Sequence, residues 1–310
     1  MWMIDPRIKF RHLQTLMEVA RQKSVGKAAQ ALHVSQPAVT KTVRELEEVL
    51  GAALFEREGR GIRLTRAGEV FLHHAGAALA AVRQGLDSVS HERAGAAPLL
   101  RIGALPTVST RIMPPAMALF LKAQPWSRVK IVTGENSVLL EQLRVGDLDL
   151  VVGRLAAPEK MAGFSFEHLY SEPVVFAVRR GHPLLGGQAV PFDDIARYPV
   201  LMPTAGSIIR PIVDSYLIGN GISALPNQVE TVSDAFGRAF VRASDAVWII
   251  SEGVVAQDIA EGLLGRLPVD TGSTRGPVGL TVRAGETPSF PLALLVDFIR
   301  EAARDVLAMA

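Results

Sequence analysis

The sequence predicts an all-α amino-terminal module followed by a larger region of α/β class. Capped helical patterns occupy most of the first 95 residues, and a run of small residues ending in Pro98 follows them. Beyond that run, short apolar strands alternate with amphipathic helices, which is typical of α/β architecture with mostly parallel sheets covered on both faces. A chain of 310 residues is too long for one ordinary domain, so two or three domains are expected.

The amino-terminal module carries three helical patterns with start and stop signals. Apolar side chains recur at spacings of three and four over residues 10–21, which predicts the first helix. Ser24 and Ser35 each stand where an N-cap belongs, and Pro37 falls in a first turn, where its missing N–H costs nothing. Gly51 suits the residue that ends the third helix. The second and third helices, joined by a short turn, have the form of a helix-turn-helix.

A basic wing and a long helix are predicted next. Two short extended pieces flank a Gly-Arg-Gly turn at residues 59–61, and an apolar helical stripe runs from Thr65 to about Arg93. This stripe is longer than one small module can bury, so a partner helix and hence a dimer is expected. The expected domains are residues 1–65 for the winged helix-turn-helix, 66–95 for the linker helix and 96–310 for the remainder, with the linker itself at residues 94–98.

The remainder shows strand and helix patterns in alternation. The predicted strands cover residues 99–105, 129–133, 149–152, 173–178, 200–202, 228–232, 247–250 and 280–283. The clearest predicted helices cover residues 112–123, 137–145, 208–218 and 291–309.

Composition excludes several classes of protein. The chain has no cysteine, which rules out disulfide frameworks, thiolate metal sites and cysteine nucleophiles. Residues 1–95 hold 14 basic and 10 acidic side chains, whereas residues 96–310 hold 19 and 21, so a polyanion is the expected partner of the first part. The absence of cysteine also leads us to expect a cytoplasmic location. The start lacks a signal-peptide pattern and no apolar run of 18 residues occurs, so no membrane span is expected.

The helix that begins after Ser35 has side chains suited to reading DNA. Gln36 can pair with adenine, Thr40 can meet a phosphate or a thymine methyl, and Lys41 can reach guanine or phosphate. Any one of them could be an ordinary solvated residue, but their combination with a basic wing favours DNA contact. The candidate DNA-contacting residues are Ser35, Gln36, Pro37, Thr40, Lys41, Arg44, Arg57 and Arg60.

Specific motifs resemble the LysR-type transcriptional regulators. They are AAQALHVSQPAVTK at residues 28–41, LFER at residues 54–57 and LTRAG at residues 64–68. The resemblance runs along the whole chain and implies a winged helix-turn-helix, a long linker helix and an α/β effector domain of two lobes, similar to the periplasmic binding proteins. It further implies an operator in double-stranded DNA, a homotetramer built as a dimer of dimers, a small-molecule effector and contact with RNA polymerase.

Within this family, residues 8–13, 21–29 and 60–62 look most like regulators of protocatechuate catabolism in the β-ketoadipate pathway. The resemblance implies control of aromatic-acid catabolic genes by a small carboxylate effector, protocatechuate or carboxymuconate, without any cofactor. Regulators of sugar uptake genes share much of the same pattern. A DNA-binding architectural protein that has no effector is a further alternative.

An effector site is expected where strands end and helices begin. Helix N-termini favour anions, Thr107 and Ser109 follow the first strand of the α/β region, and Arg154 ends a strand and could hold a carboxylate. The alternatives are simple N-capping and, for Arg154, a surface ion pair with Glu135. By resemblance, the positions that line the pocket are Thr107, Asn136, Arg154, Thr204, Ser207 and Ile208. Phe236 and Trp248 could add an aromatic wall, although core positions explain them more simply.

Enzyme chemistry has little support in the sequence. Asp147 and Asp149 could mimic an acid pair, but turn chemistry after Gly146 explains Asp147. His73 and His74 are adjacent on a helix and diverge, which does not suit one metal ion. No nucleophile elbow, Walker loop or dinucleotide fingerprint occurs, so a regulator without catalytic or metal site is expected.

Overall fold

The computed structural model describes residues 5–59, 61–94, 99–187, 190–222 and 225–308. The chain divides into two compact units. Residues 1–96 together with 144–147 form the first unit, and residues 97–143 together with 148–310 form the second. The expected linker falls mainly on residues 95–98, which lie outside the described residues.

The first unit contains the three expected helices, a wing and one long helix. In chain order its elements are α1 (Phe10–Gln22), α2 (Val25–Ala31), α3 (Gln36–Leu50), β1 (Phe55–Glu58), β2 (Gly61–Leu64) and α4 (Arg66–Ala94). The N-caps are confirmed, because Ser24 Oγ accepts from Lys27 N and Ser35 Oγ accepts from Ala38 N, both at 3.4 Å. Gly51 ends α3 at a φ of 66°, in the left-handed region that glycine adopts without strain.

The apolar faces of these helices bury one another. Leu16 of α1, Leu46 of α3 and Leu72 of α4 belong to one buried cluster, and Val19 and Val39 belong to a second with the small residues of α2. Each such side chain contributes about 1.5–3 kcal/mol by leaving water. This packing fixes the direction in which α3 presents its outer face.

The second unit contains the alternating elements. Its strands are β3 (Leu99–Ala104), β4 (Arg128–Val132), β5 (Leu150–Arg154), β6 (Phe164–Glu172), β7 (Val174–Arg179), β8 (Val200–Met202), β9 (Gln228–Glu230), β10 (Val247–Ser251), β11 (Leu264–Arg266) and β12 (Gly276–Arg283). Its α-helices are α5 (Pro106–Ser109), α6 (Met113–Ala123), α7 (Asn136–Arg144), α8 (Phe192–Ile195), α9 (Arg210–Gly219), α10 (Asp234–Ala243), α11 (Glu252–Ala260) and α12 (Phe290–Ala308).

These elements form two lobes, each built on a five-stranded sheet. Lobe I has the strand order β4-β3-β5-β12-β6, and lobe II has the order β11-β7-β10-β8-β9. In lobe I, α6 and α12 cover one face and α7 covers the other. In lobe II, α9 packs on one face while α10 and α11 pack on the other. The expected α/β fold with two lobes is confirmed.

The expectation of mostly parallel sheets needs a correction. Only three neighbouring strands of each sheet are parallel, namely β4, β3 and β5 in lobe I and β9, β8 and β10 in lobe II. In lobe I, β12 pairs antiparallel with both β5 and β6, and in lobe II β7 pairs antiparallel with both β10 and β11. The reason is topological, because the chain leaves lobe I through β6, enters lobe II through β7 and returns through β12.

Two strands were absent from the sequence prediction. They are β6 and β11, and both lie at the edge of a sheet. In β6, buried and exposed positions do not follow the pattern of a central strand, because one side of the strand has no neighbour.

Candidate DNA interface and ligand pocket

One face of α3 gathers the side chains that the sequence assigns to DNA. Gln36, Pro37, Thr40, Lys41 and Arg44 line a shared surface depression, which also includes two glutamates of α3. Gln36, Lys41 and Arg44 are all exposed. Ser35 caps the helix at one end of this face, so its hydroxyl already accepts a backbone N–H. Thr40 Oγ1 donates to Gln36 O at 3.1 Å, which leaves its methyl group and a lone pair for an external contact.

A buried histidine anchors α3 to α1 below this face. His12 Nδ1 accepts from Lys9 N at 3.1 Å, so its Nε2 carries the proton and lies 3.2 Å from Glu45 Oε2. Arg11 Nη2 donates to the same oxygen at 3.0 Å. These two contacts, that of His12 first, lower the pKa of Glu45 and keep its carboxylate ionised. The position of α3 on α1 is therefore fixed by contacts to the charged Glu45 as well as by apolar packing.

The wing presents one of its two expected arginines to solvent. Arg57 lies exposed on β1, opposite Ile62 of β2. Arg60 falls outside the described residues. Arg63, a further basic side chain of the wing, is held by Glu56 at 2.7 Å, so the wing's acidic side chains partly neutralise its charge.

The second unit contains a cavity of about 400 Å³ between its two lobes. Such a volume suits a small organic molecule. Its wall joins ends of strands and starts of helices from both lobes. The lining residues are Leu105, Pro106, Thr107, Thr133, Gly134, Glu135, Asn136, Arg154, Pro203, Ser207, Ile208, Ile209, Thr231, Val232, Ser233, Asp234, Ala235, Trp248, Ile250, Ser251 and Val254.

Four helices of nine or ten residues begin at this cavity. Asn136 is the first residue of α7, Ile209 directly precedes α9, Ser233 is the N-cap of α10 and Ser251 is the N-cap of α11. The free N–H groups of a helix start and the positive end of its dipole favour an anion. Asp234, at the start of α10, opposes this preference when ionised, but burial raises the pKa of its carboxyl.

Arg154 supplies the guanidinium of the cavity wall. It is only 4% exposed, and its donors bond mainly to the protein: Nε to Ser251 Oγ at 3.2 Å, Nη2 to Glu172 O at 2.8 Å, and Nη1 to Thr274 O at 3.5 Å. The alternative of a surface ion pair with Glu135 is wrong, because the side chain is buried among these acceptors. A guanidinium has five N–H donors, so two remain for a ligand.

Two of the expected ligand residues, Ser109 and Thr204, are not part of the cavity wall and make other contacts. Ser109 Oγ donates to Leu105 O at 2.9 Å, because the hydroxyl serves the backbone of the short helix α5. Thr204 Oγ1 donates to Glu135 Oε1 at 3.3 Å and thereby joins lobe II to lobe I at the rim. The cavity wall does include the other five expected residues, namely Thr107, Asn136, Arg154, Ser207 and Ile208.

The sequence weighed two aromatic residues for the cavity wall and missed one residue that lies behind it. Trp248 is buried and also lines the cavity, so it is both a core residue and a wall. Phe236 is 44% exposed and stacks on Phe240, so its expected core position is wrong. Glu172 lies behind the wall, where it contacts Thr107 and Gly253, and nothing in its local sequence marks it.

The residues weighed for catalysis have structural explanations. Asp149 Oδ2 accepts from Arg101 N at 2.8 Å, while Gly146 adopts a φ of 75° in the turn before Asp147. Within the described residues, no group of three or more histidine or acidic side chains is arranged to hold a metal ion. None of the described helices is both long and apolar enough to cross a membrane.

Comparisons with known proteins agree with this architecture. Residues 10–69 match the family described as "Bacterial regulatory helix-turn-helix protein, lysR family", and residues 93–304 match "LysR substrate binding domain". The chain is 69% identical over 304 residues to the HTH-type transcriptional regulator PcaQ of Agrobacterium fabrum, covering 98% of each chain. It is 33% identical to the uncharacterized HTH-type transcriptional regulator YdcI of Escherichia coli, covering 96% of this chain and 97% of the relative.

A solved structure extends the likeness to the whole fold. The crystal structure of full-length CbnR in complex with its target DNA matches with a TM-score of 0.53 and 26% identity, covering 95% of this chain and all of that one. A winged helix-turn-helix joined to a two-lobed ligand-binding fold defines a DNA-binding transcriptional regulator rather than an enzyme. The chain belongs to the LysR family of bacterial helix-turn-helix regulators.

Proposed function

We propose that this protein regulates genes of protocatechuate catabolism in response to a small carboxylate effector. The observation that carries the proposal is the 69% identity to PcaQ over 98% of both chains, which agrees with the resemblance of residues 8–13 and 21–29 to regulators of that pathway. Regulation of sugar uptake genes is the second candidate. It rests only on the part of the sequence pattern that the two kinds of regulator share.

The effector binds in the cavity between the lobes. Four helix starts and the two available donors of Arg154 suit carboxylate groups, and the apolar side chains Trp248, Ile250 and Val254 suit an aromatic ring or a conjugated chain. Protocatechuate and β-carboxy-cis,cis-muconate both have these features. No cofactor is required for a binding function of this kind. A purely architectural protein would not need polar groups that converge on a cavity.

DNA recognition is assigned to the outer face of α3 and to the wing. The protein works in the cytoplasm as a homotetramer, a dimer of dimers, and communicates with RNA polymerase at its promoters. Exposed apolar residues of α4 support the assembly, since Val82 is 44% and Leu86 64% exposed in the single chain. A second copy of the helix would cover them.

Isothermal titration of the full-length protein tests the effector assignment. The ligands are protocatechuate, β-carboxy-cis,cis-muconate and, as a control, galactose. We expect saturable binding of at least one aromatic-pathway acid, with a shift in operator affinity at the same concentrations. Binding of the sugar alone would favour the sugar-uptake candidate. Absence of binding by all three would refute the effector assignment.

A further inference from the structure

The carboxyl group of Glu172 lies directly behind the ligand cavity. Glu172 is the last residue of β6 and is 1% exposed, at the point where the chain passes from lobe I into lobe II. It does not line the cavity, yet it contacts residues that do. Burial of an ionised carboxyl group costs free energy unless the group is neutral or well paired, so the contacts of Glu172 define its role.

Glu172 makes contacts in both lobes. Its Oε1 is hydrogen-bonded to Thr107 Oγ1 of lobe I, and its Oε2 accepts from Gly253 N of α11 in lobe II at 3.2 Å. Its backbone oxygen accepts from Arg154 Nη2 at 2.8 Å. Thr107 and Arg154 both line the cavity. The side chain is therefore one hydrogen bond away from any ligand that Thr107 touches.

The direction of the bond between Thr107 and Glu172 depends on one proton. When Glu172 is ionised it can only accept, so the Thr107 hydroxyl donates to it and offers only lone pairs to the cavity. When Glu172 is protonated, the Gly253 N–H still occupies Oε2 and the acid O–H on Oε1 donates to Thr107. The Thr107 proton is then free to point into the cavity. The second arrangement favours an anionic ligand, and the first repels it.

The surroundings of Glu172 act on its pKa in both directions. Burial raises the pKa of Glu172, and the nearby Glu252 raises it further, whereas the Thr107 contact, Arg154 and Arg111 lower it. Glu252 itself is paired with Arg266 at 2.7 Å. Tyr170 also lies near this group and remains a neutral phenol, because burial raises its own pKa. Burial has the largest effect, and the resulting pKa is higher than that of an ordinary glutamate.

We propose that Glu172 is a positioning residue that acts through Thr107, and that a carboxylate ligand binds this cavity with a proton on Glu172. The inference rests on the proposed function, since it assumes that the cavity accepts a carboxylate. The carboxyl group of Glu172, outside the cavity wall, then determines whether Thr107 donates to the ligand. It also makes effector affinity depend on pH in a range where the ligand's own carboxylates stay ionised.

The test is the affinity of the full-length protein for β-carboxy-cis,cis-muconate between pH 6 and pH 9. Wild-type affinity should fall by up to tenfold per pH unit above the pKa of Glu172, because only the protonated fraction binds. Glu172→Gln should bind with an affinity that does not change with pH, since its amide N–H donates to Thr107 and its oxygen still accepts from Gly253. Thr107→Val should bind more weakly and also without pH dependence.

Glu252→Gln is the matched control. It removes a neighbouring negative charge without touching Thr107, so the fall of affinity with pH should keep its slope and move to slightly lower pH. A Glu172→Gln variant that keeps the wild-type pH dependence would overturn the inference, and so would a wild-type affinity that is constant from pH 6 to pH 9 in a protein whose Glu172 is ionised over that range.

A second measurement does not require the ligand. The difference infrared spectrum of wild type minus Glu172→Gln should contain the carbonyl band of a protonated carboxylic acid at pH 6. Absence of that band from pH 5 to pH 9 would overturn the inference even if β-carboxy-cis,cis-muconate binds. If the band is present but neither protocatechuate nor β-carboxy-cis,cis-muconate binds at any pH, the proposed effector is wrong. The protonation of Glu172 would nevertheless be confirmed.

Discussion

Single side chains in this protein serve the fold and the ligand site at the same time. Arg154 is predicted from sequence as a carboxylate ligand because it ends a buried strand, yet three of its donors bond to Ser251, Glu172 and Thr274. These bonds fix the guanidinium before any ligand arrives, so its remaining donors need no reorganisation. Preorganisation of this kind reduces the entropy that binding costs.

Arg154→Ala should therefore shift the response to higher effector concentrations while DNA binding persists. Loss of a charge-assisted hydrogen bond costs about 1.5–3 kcal/mol, which corresponds to a roughly 10- to 100-fold weaker affinity for a carboxylate. Titration calorimetry measures the affinity, and a gel shift measures the operator complex. Arg300→Ala, which removes an exposed ion-paired arginine of α12, is the control and should change neither. Wild-type effector affinity in Arg154→Ala would refute the carboxylate role.

The buried carboxyl of Glu172 also predicts the pH dependence of stability. Its pKa is raised in the folded protein, so the folded state binds the extra proton and the stability falls as pH rises from the unfolded pKa through the folded pKa. Glu172→Gln removes this proton equilibrium. The melting temperature of the variant relative to wild type should thus be higher at pH 8 than at pH 5. An equal difference at both pH values would contradict a raised pKa for Glu172 in the folded protein.

At the scale of elements, α3 joins local signals to a functional face. The cap by Ser35, the first-turn Pro37 and the terminal Gly51 are all short-range features, and the structure confirms each of them. The buried Val39 and Leu46 hold one side of the helix. Its outer side is consequently free to enter a major groove.

Gln36→Ala and Lys41→Ala should abolish sequence-specific operator binding without changing assembly. A bidentate base contact is worth about 1–3 kcal/mol of discrimination, whereas a phosphate contact mainly affects the salt dependence. Gel shifts with operator and scrambled DNA separate the two effects, and light scattering verifies the mass. Lys122→Ala in α6 is the control. If both variants retain specific binding, α3 does not contact the bases of the operator.

The helix α10 packs so closely on Trp248 that it tolerates no side chain at Gly237. A Cβ placed on Gly237 would lie 2.5 Å from Trp248 Cζ2. Gly237→Ala should displace the indole from the cavity wall and destabilise lobe II by about 1–3 kcal/mol. Thermal unfolding and effector titration measure the two effects. Gly219→Ala at the end of α9, where a Cβ meets nothing within 4 Å, is the control.

How far the sequence predicts these elements depends on the range of the contacts that determine them. The capped helices of the first unit and the strands β3, β5 and β10 follow from local patterns, and five of the seven expected ligand residues reach the cavity. The strand β6 was missed because it is stabilised by pairing with β12, more than a hundred residues later. Glu172 was missed for the same reason, since its partners Thr107 and Gly253 are distant in sequence.

At the scale of the whole molecule, α4 predicts self-association. Its 29 residues would span about 43 Å, and Val82 and Leu86 remain exposed on it in the single chain. Val82→Glu should place a charge in the helix pair and reduce the molar mass measured by light scattering. Ala81→Glu adds the same charge one position earlier, on another side of the helix, and serves for comparison. An unchanged mass for Val82→Glu would show that α4 does not form the contact.

The interleaved strand order also determines when each lobe can fold during synthesis. Lobe II is encoded without interruption from β7 to β11, so its sheet can close as soon as that stretch has left the ribosome. Lobe I must wait, because β12 occupies the place between β5 and β6 and α12 covers the buried face beside it. A nascent chain that stops before residue 276 therefore exposes two unpaired strand edges. The last 35 residues complete a lobe whose first strand was translated long before, and chaperones have that interval in which to bind it.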